Sequence, residues 1–199
     1  PRSTLFPYTT LFRSQDPVPF QQAGTGTLNT LVLALLSFIA DLKPETVIFA
    51  MEEPEIAVPP HTQRRIADYL LQKTTQAFVT SHSPFVIERF EPGQTLLLSR
   101  TNTGVVGAAR VSDATGLKEN DYRRFARRGL TECMLGRGAV LVEGISEFHA
   151  LPVVARRMEE ADPALLPLDI AGVAFFDSDS DGAMPKFGAF FNALGLKSF

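Results

Sequence analysis

The feature that most constrains this chain is an apolar segment that ends in two carboxylates. Residues 46–51 read Thr-Val-Ile-Phe-Ala-Met, the composition of a buried strand. Glu52, Glu53 and Pro54 follow at once, and proline ends a strand because it lacks an N–H group. In open α/β sheets, ligands bind outside the carboxyl ends of the strands. The pattern predicts either a site where Glu52 supports a metal ion and Glu53 polarises a water, or a strand that runs into a solvated acidic turn.

The next strand adds a histidine to the same sheet edge. Residues 61–73 have the apolar spacing of a helix, and residues 76–80 form a second apolar strand that leads into a Ser-His-Ser turn. A strand–helix–strand unit of this length forms neighbouring parallel strands with a right-handed crossover. We therefore expect Glu52, Glu53 and His82 to share one crevice. A histidine beside two carboxylates is a candidate phosphate sensor.

Composition limits the class of protein. The chain has 199 residues, of which 45% are hydrophobic, and a net charge of −3, which gives no overall electrostatic argument for nucleic acid. The single Cys133 excludes an internal disulfide and suits a reducing compartment. The apolar run 31–40 is too short to span a bilayer, and no signal peptide is evident. These features predict a soluble, cytoplasmic protein that does not contact a membrane.

A glycine-rich turn precedes the first strand. Gly24 and Gly26 lie before a helix predicted over residues 28–41, and this helix is apolar nearly all round, so we expect it to be buried. The N-terminus of a helix directs free N–H groups at an anion, which makes both glycines candidate phosphate contacts. A plain turn before a core helix explains the same residues.

Together, VIFAMEEPE and AFVTSHSP resemble the Walker B and switch-histidine motifs of ABC-type ATPases of the SMC and RecF-like branch. The resemblance implies that Glu52 supports magnesium, Glu53 is the catalytic base and His82 is the switch histidine. It also implies that Gly24 and Gly26 belong to the signature motif, which contacts ATP bound by the opposite subunit of a dimer. The family usually has Asp at the position of Glu52, Leu-His-Pro in place of Val-Pro-Pro at residues 58–60, and a Ser-Gly-Gly-Gln signature.

The phosphate-binding loop GxxxxGK[ST] does not occur in the sequence. Residues 1–14 resemble a translated sequencing adaptor, and we exclude them from the fold prediction. We therefore expect a truncated chain that by itself neither binds nor hydrolyses ATP.

The middle of the chain predicts a hairpin and then a connector. Residues 94–100 and 105–111 are strand-like with a hairpin-type turn between them, and we expect them to end the ATPase sheet. The connector, residues 113–137, contains the basic segment 122–128 with two interleaved aromatics. This segment predicts either contact with a phosphate backbone or a helix with a solvated basic face.

A second strand that ends in an acid follows. Residues 138–142 are an apolar strand, Glu143 comes directly after it, and Glu147 lies in the first turn of a helix predicted over residues 145–158. The two carboxylates are one helical turn apart and suffice as part of a magnesium site. Alternatively, Glu147 only interacts with the helix dipole.

The segment VLVEGISEFHALP resembles the first motif of a TOPRIM domain. By this resemblance Glu143 is the metal-linked general acid or base and Glu147 an additional metal ligand. An ABC-type ATPase joined to TOPRIM is the architecture of the overcoming-lysogenisation-defect (OLD) family of ATP-dependent endonucleases, and the resemblance covers about residues 20–199.

A run of aspartates near the end resembles the DxD motif that completes a TOPRIM metal site. Asp177, Asp179 and Asp181 follow a strand predicted over residues 173–176. Counting elements places them after the second TOPRIM strand, whereas the motif belongs after the third, which residues 196–199 would open. We therefore expect the true DxD beyond Phe199, and retain Asp177 and Asp179 as candidate metal ligands.

The sequence thus predicts an α/β chain in which residues 15–112 form the C-terminal half of an ABC-type ATPase sheet and residues 138–199 a partial, Rossmann-like TOPRIM domain. The expected function is that of a fragment of a DNA endonuclease dependent on ATP and on Mg²⁺ or Mn²⁺, dimeric through its ATPase domains. The alternative is an ATP-switched DNA-binding or clamp module without nuclease activity. A primase- or topoisomerase-like TOPRIM is disfavoured because ATPase motifs precede it and Tyr122 lies in no nucleophilic-tyrosine motif.

Overall fold

The computed structural model describes residues 24–42, 48–100, 103–114 and 117–199. The chain divides into two compact units, one up to His82 and one from Ser83 to Phe199. The segment assigned to an adaptor (1–14), the start of the first strand (46 and 47) and two residues of the predicted hairpin turn (101 and 102) lie outside the described residues.

The first unit contains the predicted strand–helix–strand motif. Its elements are α1 (Thr25–Leu42), β1 (Ile48–Glu52), α2 (Pro60–Lys73) and β2 (Gln76–Thr80). Strands β1 and β2 are parallel, and their last residues, Glu52 and Thr80, are paired in register. Both carboxyl ends therefore lie at the same edge, as the sequence predicts.

One face of this sheet packs against α2. Pro60 occupies the first turn of the helix, where its missing N–H group costs no hydrogen bond. Ile66 and Leu70, four residues apart on one face of α2, pack against Phe49 in a small buried cluster. This contact fixes β1 and therefore the direction in which the chain leaves it.

The other face of the sheet is exposed, which differs from the expectation of a buried strand. Ile48 is 63% exposed and Phe78 is 61% exposed, because α2 covers only the face that carries Phe49. The prediction that α1 is a buried helix is also wrong for four of its described apolar side chains, whereas Ala34 is buried. Its exposed apolar residues are Leu31, Val32, Leu35 and Phe38.

The second unit begins with a short helix and a hairpin. Helix α3 (Pro84–Ile87) is followed by β3 (Leu96–Arg100) and β4 (Val106–Arg110), which pair antiparallel. The hairpin was expected to end the ATPase sheet. Among the described strands it forms a separate two-stranded sheet instead, and its Leu97 and Ala109 pack against the core of the second unit.

The predicted connector is helical. It comprises α4 (Glu119–Phe125), a π-helical turn (Ala126–Leu130) and α5 (Thr131–Met134). Tyr122 and Phe125 are buried, while the arginines between and after them are exposed. The segment is therefore helical, with exposed arginines and with aromatic side chains that belong to the core.

A three-stranded parallel sheet completes the unit. Its elements are β5 (Gly138–Val142), α6 (Ile145–Ala161), β6 (Val173–Asp177), α7 (Met184–Ala193) and β7 (Lys197–Ser198). The strand order is β6-β5-β7, with β5 in the centre. This is the predicted Rossmann-like arrangement, and Asp177 ends the second of its strands, as counting the elements predicts.

Five phenylalanines pack together in the core of this unit. The ring of Phe176 on β6 lies 4.7 Å from that of Phe187 and 5.8 Å from that of Phe125, measured between centroids. Phe190 and Phe191 extend the cluster along α7. Because α4 contributes Phe125 to the same cluster, the basic face of α4 has a fixed position relative to β6.

None of the helices in the described ranges is long and apolar enough to cross a membrane.

Candidate functional site

The carboxyl ends of β1 and β2 bring two of the predicted ATPase residues together. Glu53 follows β1 with a φ of 45°, a left-handed conformation that is uncommon outside glycine. Its N–H group donates a 2.9 Å hydrogen bond to the carbonyl of Thr80, which extends the β1–β2 pairing by one bond. The Nε2 atom of His82 then lies 3.8 Å from Oε1 of Glu53. Glu52 is the exposed last residue of β1, adjacent to this pair.

A third carboxylate at this edge was missed by the sequence analysis. Oε1 of Glu55 accepts a 3.0 Å hydrogen bond from the Ser81 hydroxyl and a 2.7 Å hydrogen bond from the backbone N–H of His82. Its other oxygen is buried and has no hydrogen-bond partner among the described residues. Glu55 therefore holds the Ser-His turn beside Glu53. The sequence does carry a signal for Glu55, because Glu-Glu-Pro-Glu places a third acid two positions after the Glu52–Glu53 pair.

The glycine-rich turn has a packing explanation. Gly26 lies inside the first turn of α1, and only Gly24 precedes the helix, so the predicted turn is shorter than expected. A Cβ atom on Gly26 would lie 2.1 Å from the carbonyl oxygen of Ala57, whereas a Cβ on Gly24 would meet nothing within 4 Å. Gly26 thus permits the close approach of α1 to the turn that follows Glu53.

The carboxyl end of β5 carries the second candidate site. Glu143 directly follows this strand, and Glu147 lies in the first turn of α6; both side chains are exposed. A Cβ on Gly144 would lie 3.8 Å from Oε2 of Glu147, so the Glu147 carboxylate folds back toward the start of the helix. This position suits both predicted roles of Glu147, interaction with the helix dipole and a site shared with Glu143.

The loop after β6 is anchored to the residue before Glu143. Val142 pairs in register with Asp177. Its carbonyl accepts hydrogen bonds from the N–H (3.0 Å) and the hydroxyl (2.6 Å) of the buried Ser178. Asp179 has a φ of 70°, and its N–H donates a 2.8 Å hydrogen bond to Oδ1 of Asp177. These bonds fix the aspartate loop at the same sheet edge as Glu143.

Both aspartates of this loop are paired with arginines of the predicted connector. The Arg128 guanidinium lies 3.2 Å from Oδ2 of Asp177 and 3.2 Å from Oδ1 of Asp179, and Arg124 hydrogen-bonds to the other oxygen of Asp179. The hydrogen bond from Arg128 holds the pKa of Asp179 below its ordinary value of 3.8. We call these four residues the arginine–aspartate cluster. In this structure the two candidate metal ligands therefore bind guanidinium groups.

The carboxylates of Glu143 and Glu147 are donors of the kind that magnesium and manganese bind, but two side chains alone do not form a complete metal site. Carboxylate oxygens are the ligands these ions prefer, and magnesium needs only one or two of them together with waters and substrate phosphates. Glu143 and Glu147 supply that number. No group of three or more acidic, histidine or cysteine side chains in the described part of the chain is arranged to hold a metal ion.

Tyr122 is not placed to act as a nucleophile. It is 1% exposed, and burial raises its pKa to about 12.

Comparison with known families covers most of the chain. Residues 3–87 match the family model of an AAA ATPase domain. Residues 134–199 match the family model described as overcoming lysogenization defect protein-like, TOPRIM domain. None of the curated proteins matches the chain. The first match contains Glu52, Glu53 and His82, and the second contains Glu143 and the aspartate loop.

Proposed function

We propose that this chain, which joins an AAA ATPase domain to an OLD-like TOPRIM domain in the arrangement of an OLD-family ATPase–TOPRIM fusion, belongs to an ATP-dependent nuclease that cleaves DNA. The observation that carries the proposal is the position of Glu143. It lies exposed at the carboxyl end of the central strand of the TOPRIM sheet, where open α/β sheets bind their ligands.

Glu143 and Glu147 are the proposed carboxylates of the nuclease site. They would hold Mg²⁺ or Mn²⁺ together with water and phosphate oxygens of the DNA. The bound metal would activate water and stabilise negative charge on the leaving oxygen. Glu143 is the proposed general acid or base, because its side chain is exposed directly after the central strand.

The ATPase site is the proposed control element, and it acts in a dimer. Glu53 is the candidate base for the water that attacks the γ-phosphate, and His82, 3.8 Å away, is the candidate sensor of that phosphate. Glu55 supports both by fixing the backbone N–H of His82. Glu52 is the proposed support for the nucleotide's magnesium ion.

A substitution at Glu143 tests the nuclease proposal. Plasmid cleavage with Mg²⁺ or Mn²⁺ would be measured for the protein expressed from the complete reading frame. We expect Glu143→Gln to lower the cleavage rate by about 10²–10⁴-fold, the usual contribution of a general acid or base. Glu160→Gln is the matched control, because Glu160 is exposed near the far end of the same helix. Cleavage by Glu143→Gln at the control rate would refute the assignment.

The second candidate function is an ATP-switched DNA-binding or clamp module without nuclease activity. It is favoured by the pairing of Asp177 and Asp179 with arginines and by the absence of a three-carboxylate cluster in the described ranges. ATP-dependent DNA binding without cleavage in either metal would support this candidate over the nuclease.

A further inference from the structure

The arginine–aspartate cluster lies beside the proposed nuclease site, and it has a role that the ATPase and TOPRIM motifs do not assign. We propose that Arg124 and Arg128 form a phosphate-binding pair for nucleic acid, and that Asp177 and Asp179 occupy this pair until a phosphate backbone displaces them. The inference deepens the proposed function and rests on it for the identity of the ligand, DNA.

The two arginines are held as a pair by their helix and by one aromatic ring. They are four residues apart, in α4 and in the π-helical turn that follows, and both guanidiniums hydrogen-bond to Asp179, so they lie on the same side of the segment. The guanidinium carbons lie 5.0 Å (Arg124) and 5.4 Å (Arg128) from the centroid of the Phe125 ring. Phe125 is buried in the phenylalanine core, so the ring that supports both guanidiniums is itself fixed.

The aspartates bind the arginines as a phosphate would. Arg128 donates through Nη1 to Asp179 and through Nη2 to Asp177, and Arg124 donates through Nη2 to Asp179. The planar guanidinium group matches the oxygens of a carboxylate and of a phosphate equally well. The cluster therefore shows that two negatively charged groups fit this pair at hydrogen-bonding distance.

The contact is open enough to be exchanged. The side chains of Arg124, Arg128 and Asp179 are 56%, 38% and 40% exposed, so water reaches the pairs with Asp179, whereas Asp177 is 10% exposed and is the less accessible partner. Ion pairs that water reaches contribute little net stability, so a polyanion with several phosphates can compete for them. Arg123, on the same helix, is paired instead with Glu91 and Glu119.

The position of the cluster connects it with Glu143. Ser178, between the two aspartates, donates two hydrogen bonds to the carbonyl of Val142, the residue before Glu143. A DNA strand bound by Arg124 and Arg128 would therefore pass the edge of the β-sheet at which Glu143 is exposed.

DNA binding without metal tests the inference on the 199-residue chain. Fluorescence anisotropy with a labelled duplex in EDTA, over a series of salt concentrations, measures affinity independently of cleavage. We expect Arg124→Gln/Arg128→Gln to weaken binding and to lower the slope of log K against log salt by about 2, one for each lost phosphate contact. The control Arg156→Gln/Arg157→Gln removes two exposed charges from α6 and should leave the slope unchanged.

A second variant separates phosphate binding from a purely structural role. Asp177→Asn/Asp179→Asn frees both guanidiniums, so we expect DNA affinity to rise several-fold. The charge-matched control Glu132→Gln/Glu160→Gln should show a smaller rise. The gain should disappear when the arginine and aspartate substitutions are combined.

Three results would overturn the inference: an unchanged salt slope in the arginine variant, no gain beyond the control in the aspartate variant, or no DNA binding by the wild-type chain. A lower melting temperature with unchanged DNA affinity would show that the cluster only ties the helix to the sheet. Failure of the nuclease proposal is distinguishable, because DNA binding that depends on the arginines would persist while cleavage is absent in any metal.

Discussion

At the residue scale, two of the three described left-handed residues that are not glycine lie in the candidate sites. Glu53, Ala57 and Asp179 have φ values of 45°, 59° and 70°. Each costs roughly 1 kcal/mol or more relative to an ordinary conformation. Glu53 and Asp179 are candidate functional residues, and Ala57 receives the close approach of Gly26. The sequence does not reveal these conformations, because left-handed positions are usually occupied by glycine or asparagine and these three residues are neither.

A prediction follows for the two glycines that the sequence assigned to phosphate binding. Gly26→Ala places a Cβ atom 2.1 Å from the Ala57 carbonyl oxygen, so α1 or the turn must move. We expect destabilisation by about 1–3 kcal/mol, measured by urea unfolding, as is typical of overpacking.

Gly24→Ala is the matched control, because its Cβ meets nothing within 4 Å. We expect it to change stability by less than about 0.5 kcal/mol. Equal effects at both positions would contradict the packing explanation of Gly26.

The carboxyl of Asp179 gives a prediction about pH. Its folded pKa lies below 3.8 because Arg128 hydrogen-bonds to the ionised form. The resulting stabilisation is complete well above pH 3.8 and is lost as the pH falls through the lower, folded pKa. An NMR titration should show this depressed pKa in the wild type and a higher value in Arg128→Gln. An unchanged Asp179 pKa in that variant would show that the pairing does not persist in solution.

At the element scale, periodicity and strand ends predicted most of the architecture. The β1-α2-β2 unit, the hairpin and the order of the last three strands follow from local apolar patterns, since each pattern spans only one element. The sheet partners of the hairpin did not follow, because pairing between strands is a long-range property. The arginine–aspartate cluster was also unpredictable: its partners are 49 to 55 residues apart in sequence.

The packing of helix α5 can be tested through the reactivity of Cys133, the single cysteine of the chain. Cys133 is 0% exposed, and burial raises its pKa to about 12. Since the thiolate is the reactive form, we expect the native chain to react with a disulfide reagent at pH 8 far more slowly than the urea-unfolded chain. In the structure, Sγ of Cys133 on α5 lies 3.7 Å from the carbonyl oxygen of Phe175 on β6, and equal rates would mean that α5 does not pack against β6 in this way.

At the scale of the whole molecule, the order of motifs carried the prediction further than any single motif. The OLD-type combination of an ATPase domain and a TOPRIM domain, predicted from two short segments, is confirmed by the two family matches. The α/β fold class is confirmed as well. The roles of Glu53, His82, Glu143 and Glu147 stay predictions, because geometry places these residues at the strand ends without measuring their chemistry.

The most direct measurement compares plasmid cleavage and ATP hydrolysis for the wild type, Glu53→Gln and Glu143→Gln, each expressed from the complete reading frame. We expect Glu143→Gln to lose cleavage but to keep ATP hydrolysis. We expect Glu53→Gln to hydrolyse ATP about 10²-fold or more slowly and to show altered cleavage in the presence of ATP. Wild-type cleavage by Glu143→Gln, or cleavage indifferent to ATP in every protein, would contradict an ATPase that controls a TOPRIM nuclease.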